Sequence, residues 1–568
     1  MEFTDTIINF LMKNNIKTVF SYPGEQIFPL YNKLNESPIK NIMVRHEQGA
    51  LHMADGYSRI TNHIGVCLAT AGPGATNLMT GIATAYKDSS SVIAITGRCM
   101  RKYINKNYFQ EIPLDFLNIY KGYFMNKPDI GYFINAFSET LNNKKPIHLN
   151  IPSDILKSKV KCLTEYDNNN DGIYNNTYNK YNRYNNSKNN KNNDKNNNYH
   201  KNEDKLGYKD IKGKIIKKHI NIKDIKKPLL LIGQGIYGTL SYNDMSNINN
   251  ILKECNIPIA TTYPARGVID ENYKNCLGLV GRRGTFIANR YIVESDVIFS
   301  IGVSLSYNTI PESIRDKVLK KVINLDIKIN DLSDIKNLID GLNELYNDSS
   351  LNNSNKVMTT NTNNINNYYN NCDNNNTNKD NKGNIPNINN SLNFKLGDYS
   401  SKIKEILYNL PNDSIITTDA GNHTVFVSLL KKCVIPRNII SSHSMGTMGF
   451  GLPASIGVKF GCLDYNIDRE VISINGDGGF QMNMQELATV SENNLKILII
   501  IMKNSRLNVF GNIKNPDFNK IADAYDIDNV YIEDIDEIGG NIKYYLNNNK
   551  PYLMVVECEN EGLPKPFI

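Results

Sequence analysis

The chain has 568 residues, 40% of them hydrophobic, with 64 Lys and Arg against 57 Asp and Glu and a net charge of +7. That length exceeds one compact domain and suggests about three or four. The small basic excess is scattered among acidic residues, which argues against a nucleic-acid binder or a membrane-surface protein.

Residues 1–163 alternate strand-like and helix-like pieces. A strand is expected at 64–70, ended by Ala71-Gly72-Pro73-Gly74, then a helix at 77–86 and strands at 91–97 and 146–151. Such alternation implies a parallel sheet covered on both faces. Residues 164–212 are dominated by Asn with Lys, Asp and Tyr. They carry too little apolar surface to offset the entropy of ordering, so a disordered insertion is expected. Residues 213–347 form a second α/β unit, with strands expected at 228–232, 297–301 and 322–325. Residues 348–391 are a second Asn-rich insertion. In residues 392–568, strands are expected at 415–418, 471–474, 497–502 and 552–556. The first and third units look alike in kind. The expectation is an α/β protein of three doubly wound parallel-sheet domains with two disordered insertions.

Nine cysteines lie singly between Cys67 and Cys558, with no C-x-x-C pair. This is the pattern of reduced thiols in a cytoplasmic protein and offers no metal cluster. The start, Met1-Glu2-Phe3-Thr4-Asp5, lacks the basic region of a signal peptide, and the longest apolar run, 497–502, is too short to span a bilayer.

The sharpest motif is in the third unit. The strand at 471–474 runs into Asn475-Gly476-Asp477-Gly478-Gly479. A helix is then expected up to Asn493, with Asn483 and Glu486 at capping-box spacing. The next strand ends at Lys503-Asn504. A right-handed βαβ crossover brings Asp477 and Asn504 to the same sheet edge, where open α/β sheets bind ligands. A carboxylate and an amide oxygen suit Mg²⁺, and glycines at a helix start suit phosphate oxygens.

Gly-Asp-Gly with a downstream Asn resembles the signature of thiamine-diphosphate (ThDP) enzymes. More narrowly, GDGGFQMNMQELAT (476–489) and MGTMGFGLPASIG (445–457) resemble the acetolactate synthase large-subunit family. The resemblance extends to Tyr22-Pro23-Gly24, to residues 44–57 around Arg45-His46-Glu47 and to ATAGPGATNLMTGIATA (69–85). It implies Mg²⁺ held by Asp477, Asn504 and the main-chain carbonyl of Arg506. It implies a diphosphate segment at Gly421-Asn422-His423, with Asn422 in place of Gln. It also implies a pyrimidine loop at Gly446-Thr447-Met448, with Met448 as the wedge that keeps the cofactor bent. Glu47 becomes the activating carboxyl, sharing a proton with the pyrimidine ring nitrogen. Thr70, Pro73 and Asn77 face the cofactor from the glycine-rich turn, and Gln110 of Phe109-Gln110-Glu111 stands near the substrate.

The family's active sites lie between subunits, so a homodimer or homotetramer is implied, with Glu47 and Asp477 acting from different chains. A regulatory small subunit is a further implied partner. The implied reaction decarboxylates pyruvate and joins the hydroxyethyl unit to a second 2-oxo acid, as in branched-chain amino acid synthesis. Another ThDP-dependent decarboxylase or carboligase, or a non-catalytic paralogue partnering a true synthase, stays open beside it.

Three departures bear on substrate and flavin. Gly233–Gly238 fits G-x-G-x-x-G after a strand, where the family often holds FAD in a structural role. Yet Gly302-Val303-Ser304-Leu305-Ser306-Tyr307-Asn308 replaces the family's G-x-R-F-D-D-R, so flavin binding is left open. The family's long segment with a Gln-Trp pair is missing after Asn504, and the chain has no Trp. Lys503 and Arg98 stand where Asn and Gln are common.

Overall fold

The computed structural model describes residues 1–160, 208–218, 220–348, 394–507 and 510–564. The expected Asn-rich insertions lie outside the described residues except at their margins. The helix Tyr208–Lys217 takes up the end of the first, because Ile211 and Ile215 are buried in the central core.

The described chain forms two compact units. The first takes the described residues of Met1–Lys201 together with Ser414–Thr424 and Ile440–Glu557; the second takes those of Asn202–Asp413 and Val425–Ile439 and the residues from Cys558 on. The first unit contains two six-stranded sheets and the second one five-stranded sheet, so the described residues form three α/β sheets.

The first sheet comprises β1 (Thr18–Ser21), β2 (Lys40–Met43), β3 (Gly65–Ala69), β4 (Val92–Arg98), β5 (Lys121–Phe124) and β6 (Ile147–Pro152), in the order β2-β1-β3-β4-β6-β5 and wholly parallel. The central sheet comprises β7 (Pro228–Ile232), β8 (Ile259–Thr261), β9 (Cys276–Leu279), β10 (Val297–Ile301) and β11 (Val322–Asn324), in the order β11-β10-β7-β8-β9, also parallel. The third comprises β12 (Ile415–Thr418), β13 (Ile439–Ser441), β14 (Val471–Gly476), β15 (Leu498–Lys503), β16 (Asp528–Ile532) and β17 (Tyr552–Glu557), in the order β13-β12-β14-β15-β17-β16. Strand for strand, this repeats the order of the first sheet.

The ten strands expected from sequence all appear, within two residues at either end. They are mostly continuous apolar runs, as strands covered on both faces should be: β14 and β15 are each buried over their first five residues. Five strands not foreseen are sheet edges, and four of these, β2, β5, β13 and β16, are short or carry polar residues because one flank needs no partner. The two unforeseen interior strands, β1 and β8, are only four and three residues long.

Within the first unit, the helices Glu47–Thr61 and Gly451–Tyr465 pack backbone to backbone. A Cβ on Gly56 would stand 2.3 Å from the Ala454 carbonyl oxygen, and one on Gly457 would stand 1.8 Å from that of Met53. Each helix supplies a glycine where the other's carbonyl passes. Among the described residues, no helix is long and apolar enough to cross a membrane.

Candidate functional site

Glu47 opens its helix, with His46 as N-cap: the His46 ring accepts from the Gln48 N–H at 3.1 Å. The Glu47 side chain is buried and accepts a hydrogen bond from Asn77 Nδ2 at 2.9 Å. Asn77 follows the short helix Pro73–Thr76, which begins at the end of β3. The turn closes around Glu47, since a Cβ on Gly74 would lie 3.2 Å from Glu47 Oε1 and 2.7 Å from Thr70 Cγ2.

Tyr22-Pro23-Gly24 joins the same place. The Tyr22 N–H donates to the Leu68 carbonyl at 3.0 Å, and Gly24 lies against the Thr70 side chain. Gln110 arrives from a separate loop. Its backbone, at φ +61°, packs on Gly72, which itself has φ +57°. Tyr22, Pro23, Gly24, Glu47, Thr70, Pro73, Asn77 and Gln110 therefore gather at one edge of the first sheet.

The third sheet builds the second half. Gly476↔Met502 register sets the end of β14 beside the end of β15. Asp477 is 3% exposed and accepts three hydrogen bonds: Oδ1 from the Gly478 N–H at 2.8 Å, and Oδ2 from the Ser505 N–H at 2.7 Å and Asn515 Nδ2 at 2.7 Å, which leaves Oδ1 able to accept further. Asn504 Oδ1 accepts from the Arg506 N–H at 3.2 Å, and Arg506 bridges to Asn512 across a hairpin. Asp477, Asn504 and Arg506 thus share one strand edge. Asp477 with Asn504 presents the oxygen donors a hard divalent cation takes.

Gly421, Asn422 and His423 stand at the start of the helix Asn422–Leu430, after β12. The His423 ring meets Gly476: a Cβ there would be 3.2 Å from Nδ1. Met448 and Leu507 converge over Gly478, where a Cβ would meet Leu507 Cδ2 at 2.4 Å and Met448 Cε at 3.6 Å. Gly479 is pressed against Asp419. Gly446 has φ +69° with open space around it. All these expected residues come to the same edge.

Several contributors carried no sequence signal. Asp419 is buried and accepts from the N–H groups of Ala420 and Gly449, fixing the turn before the helix Gly451–Tyr465; burial pushes its carboxyl up to about 7. Thr84 and Thr447 share a hydrogen bond of 2.7 Å, and the Ser444 N–H donates to Asp88 Oδ1 at 2.8 Å. These contacts tie the Gly446-Thr447-Met448 loop to the first sheet's helix Met79–Asp88. Burial works against the Asp88 anion, but His443, Arg59 and the Ser444 N–H hold its carboxyl below the usual range.

One local expectation is corrected. The helix expected after Gly479 is broken into Asp477–Phe480, a 3₁₀ turn Met484–Glu486 and Leu487–Glu492, and Asn483 makes no cap bond. Glu486 turns away from a capping box to accept the N–H groups of Arg45 (3.1 Å) and His46 (3.0 Å). It serves the start of the helix that carries Glu47, while also accepting from Thr489 Oγ1 of its own helix at 2.8 Å. Lys503 donates to Glu557 and to Tyr531, and Arg98 pairs with Glu111, so both cations are neutralised locally.

The Gly233–Gly238 turn does not fit a flavin diphosphate. The Gly235 N–H already donates to the Gly302 carbonyl at 3.0 Å, and a Cβ on Gly233 would lie 2.2 Å from that oxygen. The glycines admit the backbone of the neighbouring strand's turn, the motif itself winds into the 3₁₀ turn Gln234–Tyr237, and the helix Tyr242–Leu252 starts only four residues after Gly238. These are the spacings of a closed crevice rather than of a phosphate cradle.

Comparison with known proteins adds the following. Residues 1–119 match the N-terminal TPP binding domain of thiamine pyrophosphate enzymes, residues 220–339 their central domain and residues 419–556 their C-terminal TPP binding domain. The chain is 53% identical to an uncharacterized protein of Methanocaldococcus jannaschii over 100% of its own length and 99% of that protein's. It is 31% identical to a probable acetolactate synthase large subunit of Methanococcus aeolicus, covering 98% of this chain and 91% of that one. It is 30% identical to an acetolactate synthase large subunit of Buchnera aphidicola, covering 92% and 88%. The fold is that of an X-ray structure from Mycobacterium smegmatis, assigned there as a candidate thiamin diphosphate-dependent enzyme: TM-score 0.71 at 17% identity, covering 99% of this chain and 100% of the other.

Proposed function

The chain belongs to the thiamine pyrophosphate enzyme family and is a ThDP-dependent enzyme related to acetolactate synthase large subunits; from that premise we propose that it is an acetolactate-synthase-type enzyme acting on pyruvate and a second 2-oxo acid. The observation that carries this reading is Glu47, buried at a helix start and held by Asn77 inside a glycine-rich turn. A carboxyl fixed in a glycine-rich turn is placed to hydrogen-bond the edge of a flat heterocycle.

ThDP, when bound, supplies a carbanion centre that adds to a 2-oxo acid and accepts the electron pair released with CO₂. The protein's part is to bind, orient and move one proton. Asn77 Nδ2 donates to Glu47 Oε2, and Oε1 lies against Gly74. Met448 and Leu507, converging over Gly478, would give the site an apolar floor. Asp477, Asn504 and the Arg506 carbonyl would hold Mg²⁺, with Gly421, Asn422, His423, Gly476, Gly478 and Gly479 around the diphosphate. Tyr22, Pro23, Gly24, Thr70, Pro73 and Gly446 would line the pyrimidine side, and Gln110 the substrate side. The working unit is a homodimer or larger homo-oligomer, each site taking Glu47 from one chain and Asp477 from another. The closed Gly233–Gly238 turn argues for a central domain without flavin.

A second reading is favoured by one feature. The chain returns from Ser505 by a tight hairpin, in which the Leu507 N–H donates to the Gly511 carbonyl and the Ile513 N–H to the Ser505 carbonyl. This hairpin stands in place of the long Gln-Trp segment. A decarboxylase or carboligase with another acceptor accommodates that shorter cover. Incubation of the purified protein with ThDP, Mg²⁺ and pyruvate, followed by product identification, separates the two: acetolactate supports the first reading, and acetaldehyde or a different ligation product the second.

A further inference from the structure

We infer that Asn515 is a positioning residue of the metal site, one that sets the Asp477 carboxylate through a carboxamide relay with Gln481. The inference rests on the reading of Asp477 as a Mg²⁺ ligand.

Asp477 Oδ2 has two donors. One, the Ser505 N–H, belongs to the strand end itself. The other, Asn515 Nδ2 at 2.7 Å, comes from beyond the hairpin, just before the helix Phe518–Ala524. The Asn515 amide is itself fixed. Its Oδ1 accepts from Gln481 Nε2 at 2.9 Å, and its Nδ2 also reaches Ser505 Oγ at 3.2 Å. Gln481 Nε2 in turn donates to the Asp477 main-chain carbonyl at 3.1 Å. The result is a closed ring from the Asp477 carboxylate through Asn515 and Gln481 back to Asp477. Both amides are half-buried, so the ring is partly shielded from competing water.

This ring has a physical consequence. A lone carboxylate on a short turn can rotate about its own Cα–Cβ bond. One held through a charge-assisted hydrogen bond to a pinned amide cannot do so freely. Outer partners of this kind orient a metal-binding carboxylate and tune its affinity. The short hairpin makes the ring available, because it returns the chain so that Asn515, 38 positions after Asp477, lies 2.7 Å from its carboxylate.

The test uses the full-length protein. Mg²⁺ is titrated by calorimetry at saturating ThDP, and the thermal midpoint is measured without metal. Asn515→Ala and the near-isosteric Asn515→Leu are expected to raise the Mg²⁺ dissociation constant about 10–100-fold, the range typical of a lost outer partner. The magnesium-free midpoint should stay at the wild-type value. Gln481→Ala should give part of that loss and add nothing on top of Asn515→Ala. Lys514→Ala, an exposed neighbour, should change nothing. Unchanged Mg²⁺ affinity in both Asn515 variants overturns the inference, as does an affinity loss matched by an equal loss of magnesium-free stability. If wild-type protein itself binds ThDP independently of Mg²⁺, the reading of Asp477 has failed, and that is seen without any variant.

Discussion

The first and third sheets have the same strand order, and the equivalent strands β3 and β14 both end in a glycine-rich turn. After β3 the turn reads Ala71-Gly72-Pro73-Gly74 and carries no acid. After β14 it reads Gly476-Asp477-Gly478-Gly479 and puts a buried carboxylate on the strand end. In the first sheet the acid comes instead from the helix after β2, where Glu47 is paired with a neutral amide. One topology thus presents a buried acid held by an amide at one edge and a buried acid among N–H donors at the other. The division of labour lies in a few side chains rather than in the fold.

The largest expected effect tests the first half. Glu47→Gln keeps the shape and the Asn77 neighbour but removes the transferable proton. Turnover should fall by about 10²–10⁴-fold, while calorimetric binding of ThDP with Mg²⁺ persists. Undiminished turnover would erase the functional contrast between the two edges. The second effect tests the other half. Asp477→Ala should weaken Mg²⁺-dependent ThDP binding by more than the about 10–100-fold of a lost outer partner. A variant that binds normally would leave the third sheet's acid with only a structural role.

The sequence carried much of this contrast and missed its supports, for identifiable reasons. Strands buried on both faces, such as β7, β10 and β15, announce themselves as apolar runs. Edge strands such as β2 and β16 open with two polar residues, leave only a short apolar remainder, and do not. Gly476-Asp477-Gly478-Gly479 and Glu47 lie in local motifs whose spacing is legible. Asn515 does not: it is one Asn in an Asn-rich chain, and its meaning comes from a hairpin that returns it to Asp477. Glu486 was legible as an acid but assigned to the wrong helix, because capping-box spacing is a local rule and its partners, Arg45 and His46, are 441 and 440 positions away.

A third prediction concerns what joins the halves. A Cβ on Gly457 has nowhere to go without moving the Met53 backbone. Gly457→Ala should destabilise by about 1–3 kcal/mol as an overpacked contact, lowering the thermal midpoint of the cofactor-free protein. Gly213, in the helix Tyr208–Lys217, has open space around it. Gly213→Ala should therefore raise stability by about 0.5–1 kcal/mol. Equal effects at both sites would mean that the glycine contact between the two helices is not close.

The last effect is a pH dependence at Glu486, whose carboxyl accepts the Arg45 and His46 N–H groups at the start of the Glu47 helix. Burial pushes its carboxyl up to about 7, against the hydrogen bonds from Thr489, Arg45 and His46 and the nearby Arg45 charge. In the unfolded chain the same group titrates near 4.5. Between these values the folded protein keeps a proton that the unfolded chain has lost, so raising the pH through this window favours unfolding. Below about 4.5 the contribution is fully present; above about 7 it is gone. Glu486→Gln mimics the protonated form, accepting the two N–H groups through its amide oxygen, and has no such slope. The stability of wild type relative to this variant should fall from pH 5 to about pH 7 and then level off, as read from denaturant midpoints of the cofactor-free protein. Asp419, also pushed up to about 7, titrates alike in both proteins and cancels in the difference. A difference that is flat across this range would mean that Glu486 is ionised throughout, and that the cap on the Glu47 helix is a carboxylate at every working pH.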